Sequence, residues 1–167
     1  MRRSLLVLVP AAVAIAIAGC GGGTTHNGNN TSAPASAKPG IAAQQAASGT
    51  VRAGTTKVGR ILVDSQGRSL YLFEKDAGTA STCYGACASL WPPLTVTGSP
   101  KAGAGIVASK LGTTKRKDGK AEVTYNGHPL YYYAGDQKPG DISGQGLNQF
   151  GAPWDVLNTA GKGIDGD

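Results

Sequence analysis

Methionine occurs once in the 167 residues, at the first position, and histidine only at His26 and His128. A chain this poor in thioether and imidazole offers few soft or borderline ligands to a transition metal. Charged residues make up only 16% of the sequence, and the net +6 includes no long polybasic arm, so nucleic acid is not an expected partner. No apolar run reaches the roughly 20 residues that a bilayer-spanning helix needs. The common catalytic signatures are missing as well: there is no Gly-x-Ser-x-Gly, no His-Glu-x-x-His, no Cys-x-x-Cys-His and no phosphate-binding loop. Gly103-Ala104-Gly105-Ile106-Val107-Ala108 has the spacing of a dinucleotide fingerprint but no apolar strand before it. His128 is the one histidine among the aromatic-rich residues, and a histidine without an activated serine or thiol beside it is a poor basis for catalysis. No enzymatic activity and no cofactor are therefore expected.

What is present starts at the N-terminus. Met1-Arg2-Arg3 leads into a fourteen-residue apolar stretch, Leu5 to Ala18, with the charged start and apolar middle of a secretory signal. The stretch closes on Ile17-Ala18-Gly19-Cys20, which resembles the bacterial lipobox. Residues 1–19 then read as a lipoprotein signal peptide and Cys20 as the lipidated residue. Two or three acyl chains hold a protein at a membrane where one does not, so the expected location is the extracytoplasmic face of the cell membrane. Residues 20–50 are almost wholly Gly, Ala, Ser, Thr, Asn, Gln and Pro, without an aromatic residue. Such a segment cannot bury enough apolar surface to offset its conformational entropy, and it reads as a flexible linker with a reach of roughly 30 Å.

All ten aromatic residues lie between Tyr71 and Trp154, which places the folded domain at about 51–160 and leaves 161–167 as a disordered tail. Within it the chain repeats itself at a spacing of sixty. Gly67, Leu70, Tyr71 and Asp76 recur as Gly127, Leu130, Tyr131 and Asp136, Phe73 recurs as Tyr133, and Val63 as Val123. Each copy later reaches a tryptophan segment, Trp91-Pro92-Pro93-Leu94 or Pro153-Trp154-Asp155-Val156-Leu157. The pattern predicts two hairpins. Arg60 to Asp64 turns through Ser65-Gln66-Gly67 into Ser69 to Glu74, and Ala121 to Tyr125 turns through Asn126-Gly127 into Pro129 to Ala134. Alternation puts Leu70 and Leu72 on one face and Tyr71 and Phe73 on the other. The predicted fold is mainly β, two tandem hairpin repeats at about 58–97 and 115–157 forming one compact antiparallel domain. Ile106 to Leu111 is expected to make one helical turn and Thr113 to Arg116 a short strand.

The lipobox, the low-complexity linker, and the twin motifs Tyr71-x-Phe73-x-x-Asp76 and Tyr131-x-Tyr133-x-x-Asp136 flank Cys83-x-x-x-Cys87 and Trp91-Pro92-Pro93. In that order they resemble the bacterial secreted-repeat lipoproteins, over residues 58–157. The resemblance implies the fold and the extracytoplasmic location, and it implies no particular activity.

With Cys20 committed to lipid, Cys83 and Cys87 are most simply a disulfide in an exported protein. Four extended residues would separate their Cα atoms by about 13 Å, so the segment must turn or coil to bring them within disulfide range. The alternative is redox or copper chemistry at that pair, since thiolates select Cu(I). Asp76 and Asp136 end the two motifs at the same phase. Each is expected to accept backbone N–H bonds from its following loop, or, with Tyr71, Phe73, Tyr131 and Tyr133, to form a polar and aromatic ligand site. Asp136 and Asp141 also offer oxygen ligands, at a spacing that fits no known calcium loop. Lys110, Lys115, Arg116, Lys117 and Lys120 read as a solvated hairpin edge guarded against strand-to-strand pairing. The function expected is that of a non-enzymatic binding or interaction module of the cell envelope, with the membrane and an envelope protein or small ligand as partners.

Overall fold

The computed structural model describes residues 49–165. The signal peptide, Cys20 and all but the end of the expected linker lie outside the described residues. Among the described residues, no helix is long and apolar enough to cross a membrane.

Each repeat opens with an antiparallel pair. In the first, β1 (Thr50–Thr56) pairs with β2 (Gly59–Asp64) and, in parallel on its other side, with β5 (Lys101–Ala102). In the second, β6 (Leu111–Lys115) pairs with β7 (Ala121–Tyr125). The predicted helical turn before β6 is a 3-10 turn at Ala108–Lys110. After β7 the chain reverses at Asn126 and Gly127, whose φ values of 50° and 87° are both left-handed. That is the backbone an Asn-Gly hairpin turn requires, and β8 (His128–Pro129) returns along β7.

Beyond these turns the predicted hairpins do not continue. The returning arm of each repeat is pushed off its own strand by the tryptophan segment of the other. β3 (Tyr71–Phe73) pairs with β10 (Ala152–Val156), which in turn pairs with β9 (Leu147–Gln149). β4 (Thr95–Val96), downstream of Trp91, pairs with β7 of the second repeat. The substitution is the same in both halves. The N–H of Leu62 donates to the carbonyl of Leu157 at 2.8 Å, and that of Val123 donates to Leu94 at 2.8 Å. On the dyad between the repeats, Tyr71 and Tyr131 exchange both backbone hydrogen bonds at 2.9 Å. A strand segment borrowed from the partner repeat satisfies the backbone groups that a long hairpin would have paired internally.

Alternation along these strands sorts the buried residues into two layers. Leu70, Leu72, Leu130 and Tyr132 join Leu62, Leu94, Val123 and Leu157 in one. Tyr71, Phe73 and Tyr131 join Ile61, Val63, Trp91, Trp154 and Val156 in the other. The sequence places these faces correctly.

One strand was not anticipated, and two expectations need correction. The first strand of the domain, β1, has only a weak apolar pattern; it contains Gly54, where a Cβ would stand 2.8 Å from a methyl of Val63. Close packing on β2 selects its residues in place of alternation. Arg116 does not belong to a solvated edge: it is 3% exposed, because it has a buried acid to pair with. The tail expected to be disordered from 161 folds back as far as Ile164. Gly163 bridges Leu157, and the Ile164 N–H donates to Val156 at 3.0 Å, so the Ile164 side chain packs on the core.

Candidate functional site

The residues between Phe73 and Trp91 carry the disulfide. Cys83 and Cys87 are bonded, with Cα atoms 5.3 Å apart. The coil expected from their spacing is provided by α1 (Ala86–Leu90), entered through Gly85 at a φ of 59°. Both cysteines are buried, against Trp91 and Ile142 among others. Among the described residues, no group of three or more His, Cys, Asp and Glu is placed to hold a metal ion.

The motif residues meet around the dyad, and their bonds cross it. The Tyr71 hydroxyl donates to Asp136 Oδ2 at 2.7 Å, and the Tyr131 hydroxyl donates to Asp76 Oδ2 at 2.6 Å. Each tyrosine therefore pairs with the aspartate of the opposite repeat. The second oxygen of each carboxylate is used as the sequence anticipates, by a backbone N–H in the following loop. Thr82 N donates to Asp76 and Ser143 N to Asp136, both at 2.8 Å. Burial, followed by the carboxylate partner, pushes the Tyr71 phenol far above its ordinary range. Burial and the nearby Glu122 charge do the same to Tyr131. Both phenols stay protonated and serve as donors. Burial also raises the Asp136 carboxyl, against the Tyr71 and Ser143 bonds that pull it back.

Around these pairs the rings form a ladder. Phe73 stacks on Trp154 and Trp154 on Trp91, each at 4.0 Å between centroids and 8° between planes, and Trp91 continues to Tyr133 at 4.4 Å. Tyr71 meets Trp91 edge-on and Tyr131 meets Trp154 likewise, each at 5.2 Å. Offset and edge-to-face contacts of this kind add about 0.5 to 1.5 kcal/mol each beyond the area they bury. Gly144 makes room for the ladder, since a Cβ there would stand 2.6 Å from the Trp91 ring.

The six candidate ligand residues therefore divide. Tyr71 and Tyr131 are fully buried, and Phe73 and Asp76 nearly so, which leaves them no face for a ligand. Tyr133 and Asp136 are half-buried and reach a concavity of about 150 Å³. Arg68, Ser69, Pro92, Tyr132, Ala134 and Gln137 complete its walls. Arg68 is held in place there: its guanidinium lies 3.8 Å over the Tyr132 ring, and its Nε donates to Asp64 at 3.0 Å. Asp141, the other oxygen donor considered, accepts the N–H groups of Gln137 and Lys138 and so caps its own loop. His128 lies on β8 away from these groups, half-buried.

Sequence reasoning missed a buried polar chain behind the disulfide loop. Arg116 donates through one amino group to Glu122 Oε2 at 2.6 Å and to Ser81 at 2.7 Å, and through the other to the Cys83 carbonyl at 2.6 Å. Ser81 shares a 2.7 Å hydrogen bond with the Tyr131 hydroxyl, so the chain ends on Asp76. The Tyr84 ring covers the guanidinium at 4.4 Å. Burial pushes the Glu122 carboxyl up to about 7, against the opposing pull of Arg116. The signal that could have found this pair is the alternation of β7, which puts Glu122 in line with Thr124 on a strand where every residue but the first is buried.

No curated protein and no solved structure matches the chain. One family model does, twice, at residues 53–95 and 112–158. Those limits coincide with the two units seen here, each beginning on the first strand of its antiparallel pair and ending on the borrowed tryptophan segment. The two matches cover more than half of the sequence, and the chain belongs to the lipoprotein family described as a secreted repeat of unknown function.

Proposed function

We propose that the protein is an extracytoplasmic lipoprotein, anchored through Cys20, whose domain is a non-enzymatic binding module of the cell envelope. The observation that carries the binding reading is the division of the motif. Four of its six residues are consumed by the core, while Tyr133 and Asp136 line a concavity together with a fixed arginine and an exposed Gln137. A small set of polar groups around an aromatic wall is the usual make-up of a ligand site. The volume suits a compact polar ligand or a single side chain of an envelope protein better than an extended substrate. The phenols and carboxylates of the dyad are locked in bonds to one another, which supports a structural role for them over a catalytic one.

Ala134, at the rim of the concavity, supplies the test. The full chain is immobilised and challenged with envelope extract, metals included, beside an Ala134→Trp variant that fills the space. Material retained by the wild type and lost by a variant that melts at the same temperature supports the binding reading. Equal retention by both chains refutes this site. The anchor is tested separately, by mass spectrometry of the mature N-terminus. A diacylglyceryl group on Cys20 is expected, and an unmodified Cys20 or a different first residue would overturn the lipoprotein reading.

A further inference from the structure

We propose that a second copy of this chain is a partner, engaged by exchange of whole repeats about a hinge at Gly105 to Ser109. Neither repeat closes its own sheet. The first needs β10 and Leu157 from the second, and the second needs β4 and Leu94 from the first. The crossed Tyr71–Asp136 and Tyr131–Asp76 bonds and the ring ladder also join one repeat to the other. A chain that opens between its repeats exposes Trp91, Trp154, Tyr71 and Tyr131, all fully buried in the closed form. The surface that fits them is the other repeat, and a second copy carries the same one. Exchange of identical elements between protomers remakes every contact except those of the connection.

The connection between the repeats is short and mostly exposed, with Ile106 alone packed against the core. Up to Ala104 the chain is bonded to the first repeat: the Gly103 N–H donates to Val51 at 2.7 Å and the Ala53 N–H donates to Ala104 at 2.9 Å. From Lys110, whose carbonyl accepts the Asn126 N–H at 2.8 Å, it is bonded to the second. Between these points Gly105 sits at a φ of 78°, Val107 is 48% exposed, and the Val107 N–H reaches the Tyr125 hydroxyl at 3.2 Å. A few residues of this kind can absorb the dihedral change of a hinge. The closed and exchanged forms then differ in the hinge and in concentration, so the balance between them follows mass action.

A staple across the two repeats distinguishes the forms. The Glu74 N–H donates to the Pro153 carbonyl at 3.1 Å, and both residues are exposed. Opposed antiparallel residues lie about 4.5 to 5.5 Å apart, within the reach of a disulfide. The full chain carrying Cys20→Ser, Glu74→Cys and Pro153→Cys is refolded under reducing conditions at low and high chain concentration, then oxidised and run on a denaturing gel. Covalent dimer is expected, in a fraction that rises with concentration, and is absent when either new cysteine stands alone. A staple confined to single chains at every concentration overturns the proposal, as does dimer formed by Glu74→Cys alone. A second arm avoids the staple. Tyr71→Ala and Tyr131→Ala chains are refolded together at high concentration. Exchange places both lesions in one half of a mixed dimer and none in the other, so a transition at the wild-type melting temperature is expected. Its absence from the mixture overturns the proposal.

Discussion

Tyr71 donates its hydroxyl to Asp136, sixty-five residues away, and not to Asp76 in its own motif. The aspartate that completes each repeat belongs to the other, so the motif is a clasp between two units and neither copy is a site in itself. The two clasps differ in depth, because Asp76 is 8% exposed whereas Asp136 is half-buried. The second bond of Tyr131, shared with Ser81, is 2.7 Å long, whereas the second bond of Tyr71, accepted from the Gly144 N–H, is 3.3 Å. Tyr131→Phe is therefore expected to destabilise the domain more than Tyr71→Phe. A lost hydrogen bond to a charged acceptor costs about 1.5 to 3 kcal/mol, with Tyr131 at the upper end. Truncation of either ring to alanine is expected to cost about 3 to 5 kcal/mol. Urea melts of the four variants check both the order and the size.

Arg116 and Glu122 form a pair that is all but sealed from solvent. Removing one member of such a pair strands the other's charge, at about 3 to 5 kcal/mol. Arg116→Met should therefore be severe. Lys115→Ala, one residue away and exposed, should fall within about 0.5 kcal/mol of wild type, as surface changes do. Chemical denaturation of the two variants is sufficient, and equal effects would return Arg116 to the surface.

The same pair gives the stability a pH dependence. The folded-state pKa of Glu122 is raised, from 4.5 to about 7, so the folded form holds the proton more tightly than the unfolded one. Its contribution is fully present below about pH 4.5 and is lost as the pH rises towards 7. The stability difference between wild type and Glu122→Gln should therefore change by about 3 kcal/mol across that interval and level off above it. Denaturant melts of both chains between pH 4 and 8 would show a flat difference if burial did not perturb this carboxyl.

Cys83 and Cys87 close a ring of five residues, worth about 2 kcal/mol by loop entropy. The natively folded chain should show no accessible thiol at either position until it is reduced, and Cys83→Ser with Cys87→Ser should lower stability by about that amount. Copper retained by the wild type and lost by the double variant would instead favour a thiol-based function for the pair.

The spacing of sixty, the two faces of Leu70-Tyr71-Leu72-Phe73 and the Asn126-Gly127 turn were legible because each depends on residues close together in the chain. Periodicity and turn geometry act over a few residues. The strand exchange was not legible. Leu157 competes with Leu70 for Leu62, and nothing near Leu62 in the sequence marks a partner almost a hundred positions away. Arg116 was hidden for a related reason. Its neighbours Lys115 and Lys117 are exposed, and a basic run looks uniform until a buried acid on the adjoining strand selects one member of it. In the twin motif the aspartates hold their following loops as expected, but the crossing of each tyrosine to the aspartate of the other repeat was not legible, because tyrosine and aspartate at the same phase suit a pair within one motif and a clasp between two equally well.

The borrowed strand also sets the order in which the chain can become a protein. The ribosome releases the first repeat long before Trp154 to Leu157, and without those residues the Leu62 N–H and one edge of β3 lack their partners. Local pieces such as the β1–β2 pair can form early, but the core waits for the C-terminus. Long-range closure of this kind is slow and comes late. A nascent chain that cannot finish its fold stays threadable, which would suit the export proposed above.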